Sequence, residues 1–337
     1  MNIDTTCNQN TVLESETYGI FVTVPARNVY IQDNKIIRSR NSGIKVTRQI
    51  DHKSEETDEI LTPKTYRAGG IKLTGNQIFD THFLGIEIDQ THQAIVTHNS
   101  ISRTDYSGIF IQDSDHISIQ NNRIEDFGVG DDREELMKWN EDHNAGIYGD
   151  ANINGANISN NIIIDFLSHG TRYGIKIANP NAFVENVGCV VSQNIISGDY
   201  SHEEISTPPT TVQEDNSISR TDYSGIFIQD SDHISIQNNR IEDFGVGDDR
   251  EELIKWNEDH NAGIYGDANI NGANISNNII IDFLSHGTRY GIKIANPNAF
   301  VENVGCVVSQ NIISGDYSHE EISTPPTTVQ EDNSIIS

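Results

Sequence analysis

The sequence predicts an all-β chain wound into one single-stranded right-handed parallel β-helix, and three observations carry that prediction. Most of the chain is one block written twice, isoleucines alternate with polar residues over short runs, and the motif Asn-x-Ile keeps returning. An internal period governs how every other feature is read, because each repeat of a solenoid buries its apolar face only against the next.

The duplication is the plainest signal. Residues 99–215 and 216–332 align without a gap over 117 positions and differ only at Met137 against Ile254. Residues 333–337 begin a third copy. Residues 1–98 read as diverged coils of the same kind: Ser42 to Asp80 follows the pattern of Tyr173 to Asp199, and Gly85 to Ser102 follows that of His202 to Ser219, with Glu87 and Glu204 at equivalent places. Residues 1–337 therefore count as one continuous β-helix with no second fold.

The strands follow from periodicity. In Gly108 to Asp126, GIFIQDSDHISIQNNRIED, the isoleucines alternate at period two, which gives a strand one buried face, and the polar breaks are too short for helical crossovers. The Asn of Asn-x-Ile falls at 34, 76, 99, 122, 161, 194, 216, 239, 278, 311 and 333. The shortest separations, 22 and 23 residues, give the basic coil, and the longer ones are the same coil carrying an outward insertion. About ten to eleven coils at roughly 4.8 Å each make a rod on the order of 50 Å long. The recurring Asn is expected to take left-handed backbone at a bend and to stack its amide on its neighbours. The Gly before each G-I-x-I strand marks a place where a side chain would collide.

A net charge of −28 disfavours nucleic acid and anionic membranes, both of which call for a basic surface. It suits solubility, or a setting rich in calcium or polysaccharide. No transmembrane span is expected, and the start MNIDTTCNQN lacks the basic and apolar parts of a secretory leader, although an extracellular or cell-surface place fits if the chain is a fragment. Cys7, Cys189 and Cys306 form neither a disulfide framework nor a zinc spacing. The acidic runs at 54–59 and 131–135 lack a calcium-loop pattern, and His92, His98 and His116 read as turn or surface residues.

The G-I-x-I and Asn-x-Ile pattern over nearly the whole chain resembles the pectin-lyase-like superfamily of right-handed β-helices, particularly its generic repeat proteins. The resemblance implies the fold. For function it implies a range of polysaccharide lyases, glycoside hydrolases, uronate epimerases, tailspikes and adhesins. The pieces GDD (130–132), SHG (168–170) and RYGIK (172–176) are similar to polygalacturonase motifs but wrongly spaced, and Asp113 to His116 departs from the D-P-H expected of mannuronan epimerases.

Candidate chemistry sits on the G-I-x-I strand. Its isoleucines point inward, so the residue between them points out and stacks into a column: Phe21, Lys45, Glu87, Phe110, Tyr148, Lys176, Glu204, Phe227, Tyr265 and Lys293. Two residues on, a second column holds Thr23, Thr47, Asp89, Gln112, Asp150, Ala178, Ser206, Gln229 and Asp267. Loops entering the strand add His82, Asp105, Tyr106, His143, Arg172 and Tyr173. The insertion from Gly128 to Asn144 overhangs the strand, with a short helix expected from Asp132 to Asn140 and Trp139 packing the loop or offering a stacking surface.

Acting on a uronate polymer, such a face needs a cation for the enolate and a base for the adjacent proton. Lys176 or Arg172 fits the cation, Tyr148 or His143 the base, and the duplication repeats them as Lys293, Arg289, Tyr265 and His260. Phe110, Gln112, Glu87, Trp139 and Trp256 are candidate substrate contacts, and Asp113, Asp150, Asp230 and Asp267 are candidate calcium ligands. Hydrolysis would instead draw on Asp131 with Asp132, or Asp150 with Asp113. Two functions stay open: a carbohydrate-binding or carbohydrate-processing β-helix, as a polysaccharide lyase or uronate epimerase, or a non-catalytic stalk, adhesin or tailspike-like module. The expected partner is a polysaccharide, with no nucleic acid and no membrane insertion. An uncapped last coil adds end-to-end or homo-oligomeric association.

Overall fold

A computed structural model describes residues 5–23, 27–47, 68–129, 145–150, 153, 155–165, 173–177, 190–200, 205–206, 212–214, 216–221, 225–228, 234–242, 244, 262–266, 273–282, 290–294, 307–315, 322–323 and 329–336. All regular structure among these residues is β-strand, arranged in three parallel sheets of 12, 12 and 11 strands. We call them A, B and C in the order the chain visits them: coil 1 contributes Thr5–Asn8 to A, Thr11–Ser15 to B and Ile20–Thr23 to C. Each strand pairs with its counterpart one coil along, which makes a parallel β-helix, and the rule for parallel crossovers makes it right-handed.

The coil count exceeds the sequence expectation of ten to eleven, because sheets A and B each hold 12 strands. The additional coil lies at the N-terminal end, where the motif is Asn10-Thr11-Val12 with valine in place of isoleucine. Twelve strands about 4.8 Å apart span roughly 53 Å, in line with the expected length.

The core is a stack of identical side chains. On sheet B, Ile36, Ile78, Ile101, Ile124, Ile163, Ile196, Ile218, Ile241, Ile280 and Ile313 pair in unbroken register. All are buried, and each contributes about 1.5–3 kcal/mol of hydrophobic burial.

The A-to-B corner carries the asparagine ladder. Asn34 Nδ2 donates to Asn76 Oδ1 at 3.0 Å and Asn76 Nδ2 to Asn99 Oδ1 at 2.9 Å, and the chain of amides runs on to Asn333. It also starts one rung earlier than expected, from Asn10 Nδ2 to Asn34 Oδ1 at 2.9 Å. Among the described residues the left-handed backbone belongs to the residue before the Asn rather than to the Asn: Gln9, Asp33, Gly75, His98, Asn121, Asn160, Gln193, Asn238, Asn277, Gln310 and Asp332 all have positive φ. That residue makes the bend, which leaves the Asn free to turn its amide inward along the axis.

At the B-to-C corner the glycines form a column of their own. A Cβ on Gly108 would lie 2.4 Å from Ile124 Cγ2 and 2.9 Å from the Gly146 carbonyl oxygen, and Gly43, Gly85, Gly146 and Gly263 face the same obstruction. Bare backbone lets each coil close onto the next.

Candidate functional site

The outer face of sheet C holds the expected column. Its register runs Phe21, Lys45, Glu87, Phe110, Tyr148 and Lys176, each beside the next. Beyond Lys176 the structure corrects the expectation: Ile175 pairs with Ile205 and Lys176 with Ser206, so Ser206 occupies the place assigned to Glu204 and leaves the second column. The strand Ile205–Ser206 offers a single isoleucine, and a slip of two residues preserves which side chains face inward, so alternation alone cannot choose between the registers. The column then repeats as Phe227, Tyr265 and Lys293.

Three clusters form along the column. In the first, Lys45 Nζ lies 2.6 Å from Glu87 Oε1 and 5.3 Å from the centre of the Tyr18 ring, which stacks on Phe21 at 4.9 Å. Ser42 Oγ donates to Glu87 Oε2 at 2.6 Å. Burial pulls the Lys45 pKa down, but the hydrogen bond and charge of Glu87, with Tyr18 behind them, more than offset it and the pKa is raised.

In the second cluster Phe110 and Tyr148 stack with ring centres 5.6 Å apart, only 4% and 3% exposed, within an outer apolar group with Leu84, Tyr106 and Ala145. Sequence reasoning missed this group and read Tyr106 as a loop residue. Its signal was present: an apolar residue stands one or two places before the corner Gly in FLG (83–85) and YSG (106–108). In the third cluster Lys176 Nζ sits 5.7 Å from the Tyr148 ring centre and 4.3 Å from that of Tyr173, and the copy repeats it with Lys293 at 5.6 Å from Tyr265 and 4.7 Å from Tyr290.

At the C-terminal end of the strand, Gln112 pairs with Asp89. Asp89 accepts a 2.8 Å hydrogen bond from Thr47 Oγ1. Burial raises the Asp89 pKa; the Thr47 bond and Lys45 oppose this, while the charges of Asp113 and Glu87 add to it. Asp113 follows at a left-handed turn, and the Asp150 backbone N–H donates to the Ile111 carbonyl at 2.7 Å, so both candidate calcium ligands flank one corner. Among the described residues no three His, Cys, Asp or Glu side chains converge as a metal cage.

His143, Arg172, Trp139, Asp230, His260, Arg289, Trp256 and Asp267 lie outside the described residues, as do the short helix expected at 132–140 and the carboxylate pair of Asp131 and Asp132. A groove that the sequence did not indicate, about 830 Å³ in volume, follows the B-to-C corner of the first coils beside the Lys45 cluster. Glu14 with Arg38 at 2.6 Å, Arg40 with Glu16 at 3.2 Å, and His82 with Asp105 at 3.4 Å line it, along with Phe83.

A family model described as NosD, periplasmic copper-binding protein, matches residues 64–131. No curated protein sequence matches the chain. Among solved structures, the A-module of the Azotobacter vinelandii mannuronan C-5 epimerase AlgE6 is 12% identical with a TM-score of 0.54, over 96% of this chain and 90% of that one. PfbA, a surface adhesin of Streptococcus pneumoniae, is 9% identical with a TM-score of 0.60, over 98% and 81%. The Dettilon tailspike protein is 11% identical with a TM-score of 0.50, over 95% and 62%. Identities this low establish likeness of fold. Among the described residues no helix is long and apolar enough to cross a membrane. By its repeat and its fold the chain is a right-handed parallel β-helix.

Proposed function

We propose that this chain is a polysaccharide-binding β-helix that holds an acidic glycan along the outer face of sheet C. The carrying observation is the Lys176 cluster: an ammonium group beside two tyrosine rings, repeated in the second block with Lys293. The partly exposed ring of Tyr173, with Tyr290 in the copy, suits a sugar face, and the cation beside it suits a uronate carboxylate. A repeating rod suits a repeating ligand, and the fold is shared with a mannuronan epimerase module, an adhesin and a tailspike. On a chain of net charge −28, lysines set among tyrosines are the places where an anionic polymer meets least repulsion.

A second reading makes the same face a uronate lyase or C-5 epimerase. The base, Tyr148 or His143, takes the proton beside the carboxylate, and Lys176 or Arg172 stabilises the enolate. Expulsion of the neighbouring oxygen then gives a lyase, and return of a proton to the opposite face gives an epimerase. The adjacency of Tyr148 and Lys176 in register favours it. The 3% exposure of Tyr148 favours binding, which does not require its hydroxyl to reach a sugar carbon. Calcium held by Asp113 and Asp150, with Asp230 and Asp267 in the copy, would bring further positive charge to this face.

Calorimetry with alginate, pectate and neutral glucan oligosaccharides, with and without calcium, tests the proposal. Binding to the acidic oligosaccharides, weakened at least tenfold when Lys176 and Lys293 both become Ala, supports it. Indifference to all three glycans overturns it. Ultraviolet absorbance of unsaturated product and inversion of uronate centres in the same samples decide for or against the second reading.

A further inference from the structure

Sheet B presents an outer face unlike that of a solvated sheet. Coils 2 to 7 contribute Lys35–Ser39, Gln77–Thr81, Ser100–Thr104, Arg123–Phe127, Ile162–Asp165 and Ile195–Tyr200 to it. Coils 8 to 11 contribute Ser217–Thr221, Arg240–Glu242, Ile279–Asp282 and Ile312–Gly315. Leu13, Phe79, Ile195 and Ile312 all point outward here and are 60%, 42%, 50% and 41% exposed. Ile37, Ile162, Ile164, Ile279 and Ile281 are half-exposed beside them.

The corner leading into this face is smooth. Two residues separate each sheet A strand from the next sheet B strand, as between Asn8 and Thr11, Gln120 and Arg123, or Ser309 and Ile312. Insertions enter at the other corners. The face is also close to neutral: its two outward columns carry Lys35, Arg123 and Arg240 against Glu125 and Glu242, and the latter arginines pair with those glutamates. On a chain of net charge −28, this is the face least repelled by a copy of itself.

The apolar residues fall in islands, and their order is palindromic. Coils 6 and 7 carry Ile162, Ile164 and Ile195, coils 5 and 8 and coils 4 and 9 are polar, and coils 3 and 10 and coils 2 and 11 again carry apolar residues, Phe79, Ile279, Ile281, Ile37 and Ile312, with Lys35 on the same strand as Ile37. We propose that two copies of the chain pack sheet B on sheet B as an antiparallel dimer, about a two-fold axis that runs along the strands between coils 6 and 7. Each outward column then faces itself in reverse order. Ile162 meets Ile195, Phe79 meets Ile281, Lys35 meets Ile312, Arg123 meets Ser217 and Arg240 meets Ser100, so no like charges oppose within these two columns. Twelve strands about 4.8 Å apart and some 16 Å wide bury roughly 800 Å² per copy, the size of a stable specific interface.

Light scattering on the full chain should give twice the 37.5 kDa chain mass. Replacing Ile195 and Ile312 together by Lys puts charge on outward positions without entering the core, and should return the mass to that of one chain with unchanged circular dichroism. Ile95→Lys, on the outer face of sheet A, should leave the dimer intact. In a background with all three cysteines replaced by Ser, spin labels at Leu13→Cys should lie about 50 Å apart, since antiparallel packing sends the two first coils to opposite ends. A single-chain mass at all concentrations, a dimer that survives the double lysine variant, or a short distance between the Leu13 labels overturns the proposal.

Discussion

Lys45 and Glu87 stand on neighbouring strands of sheet C with Nζ and Oε1 2.6 Å apart, and Ser42 holds the other carboxylate oxygen. The pair is largely withdrawn from water, with side chains 20% and 10% exposed. Glu87→Ala leaves a half-buried ammonium without its partner and should cost about 2 kcal/mol in urea unfolding, as expected for a charged hydrogen bond. The pH dependence has a definite sign. The folded pKa of Lys45 is raised above 10.5, so its contribution is complete below that value and lost as pH rises through the folded pKa. The gap between wild type and Glu87→Ala should therefore close in strong alkali.

Asp89 behaves in the opposite sense. Burial first, with the Asp113 charge adding to it, raises its pKa above 3.8 despite the Thr47 hydrogen bond. The folded chain then holds its proton more tightly than the unfolded chain, and stability falls as pH rises from 3.8 through the folded pKa. Asp89→Asn keeps an acceptor for Thr47 and removes the charge. It should raise the melting temperature at neutral pH and have no effect once pH is below the ordinary carboxylate range. An equal shift at both pH values would show that packing, not charge, is responsible.

The asparagine ladder gives a graded prediction. Asn122 Oδ1 accepts from both the backbone N–H and Nδ2 of Asn99 at 3.0 Å, and its own Nδ2 donates to Val96 O at 2.9 Å and Asn161 Oδ1 at 3.0 Å. Asn122→Ala strands several buried groups at once and should cost at least about 3 kcal/mol. Asn333→Ala, at a partly buried rung, should cost less. Urea midpoints at constant slope separate the two.

How much of this was legible in the sequence depended on what each residue had to satisfy. Alternating isoleucines and Asn-x-Ile specify the three sheets because burial and the amide ladder admit one arrangement. The first rung, at Asn10, escaped notice because Val12 fills the place where later coils have isoleucine, a difference the core accepts, although Phe21 and Thr23 of the same coil head the two columns. Ser206 was misplaced as Glu204 because a two-residue strand with one isoleucine does not fix its register. The Glu14, Glu16, Arg38 and Arg40 groove was invisible because its side chains come from separate coils and meet only once those coils stack. Within the column, the sequence identified Lys45, Glu87, Tyr148 and Lys176 as neighbours. It could not show that Phe110 and Tyr148 are buried, since Leu84 and Tyr106 reach them from the preceding corners.

The duplication turns the location of the binding face into a count. The Lys176 cluster lies within residues 99–215 and recurs around Lys293, whereas Lys45 and Glu87 precede the duplicated blocks. A glycan held by the lysine and tyrosine clusters should therefore bind with two sites per chain by calorimetry. Lys293→Ala should reduce that number to one and leave the affinity of the remaining site within about twofold, because the two clusters share no residue and stand four coils apart, roughly 19 Å along the rod. Lys45→Ala should leave both sites in place. A single site per chain that survives Lys176→Ala and Lys293→Ala but is lost with Lys45→Ala would instead place the ligand at the first coils, in the groove beside Arg38 and Arg40.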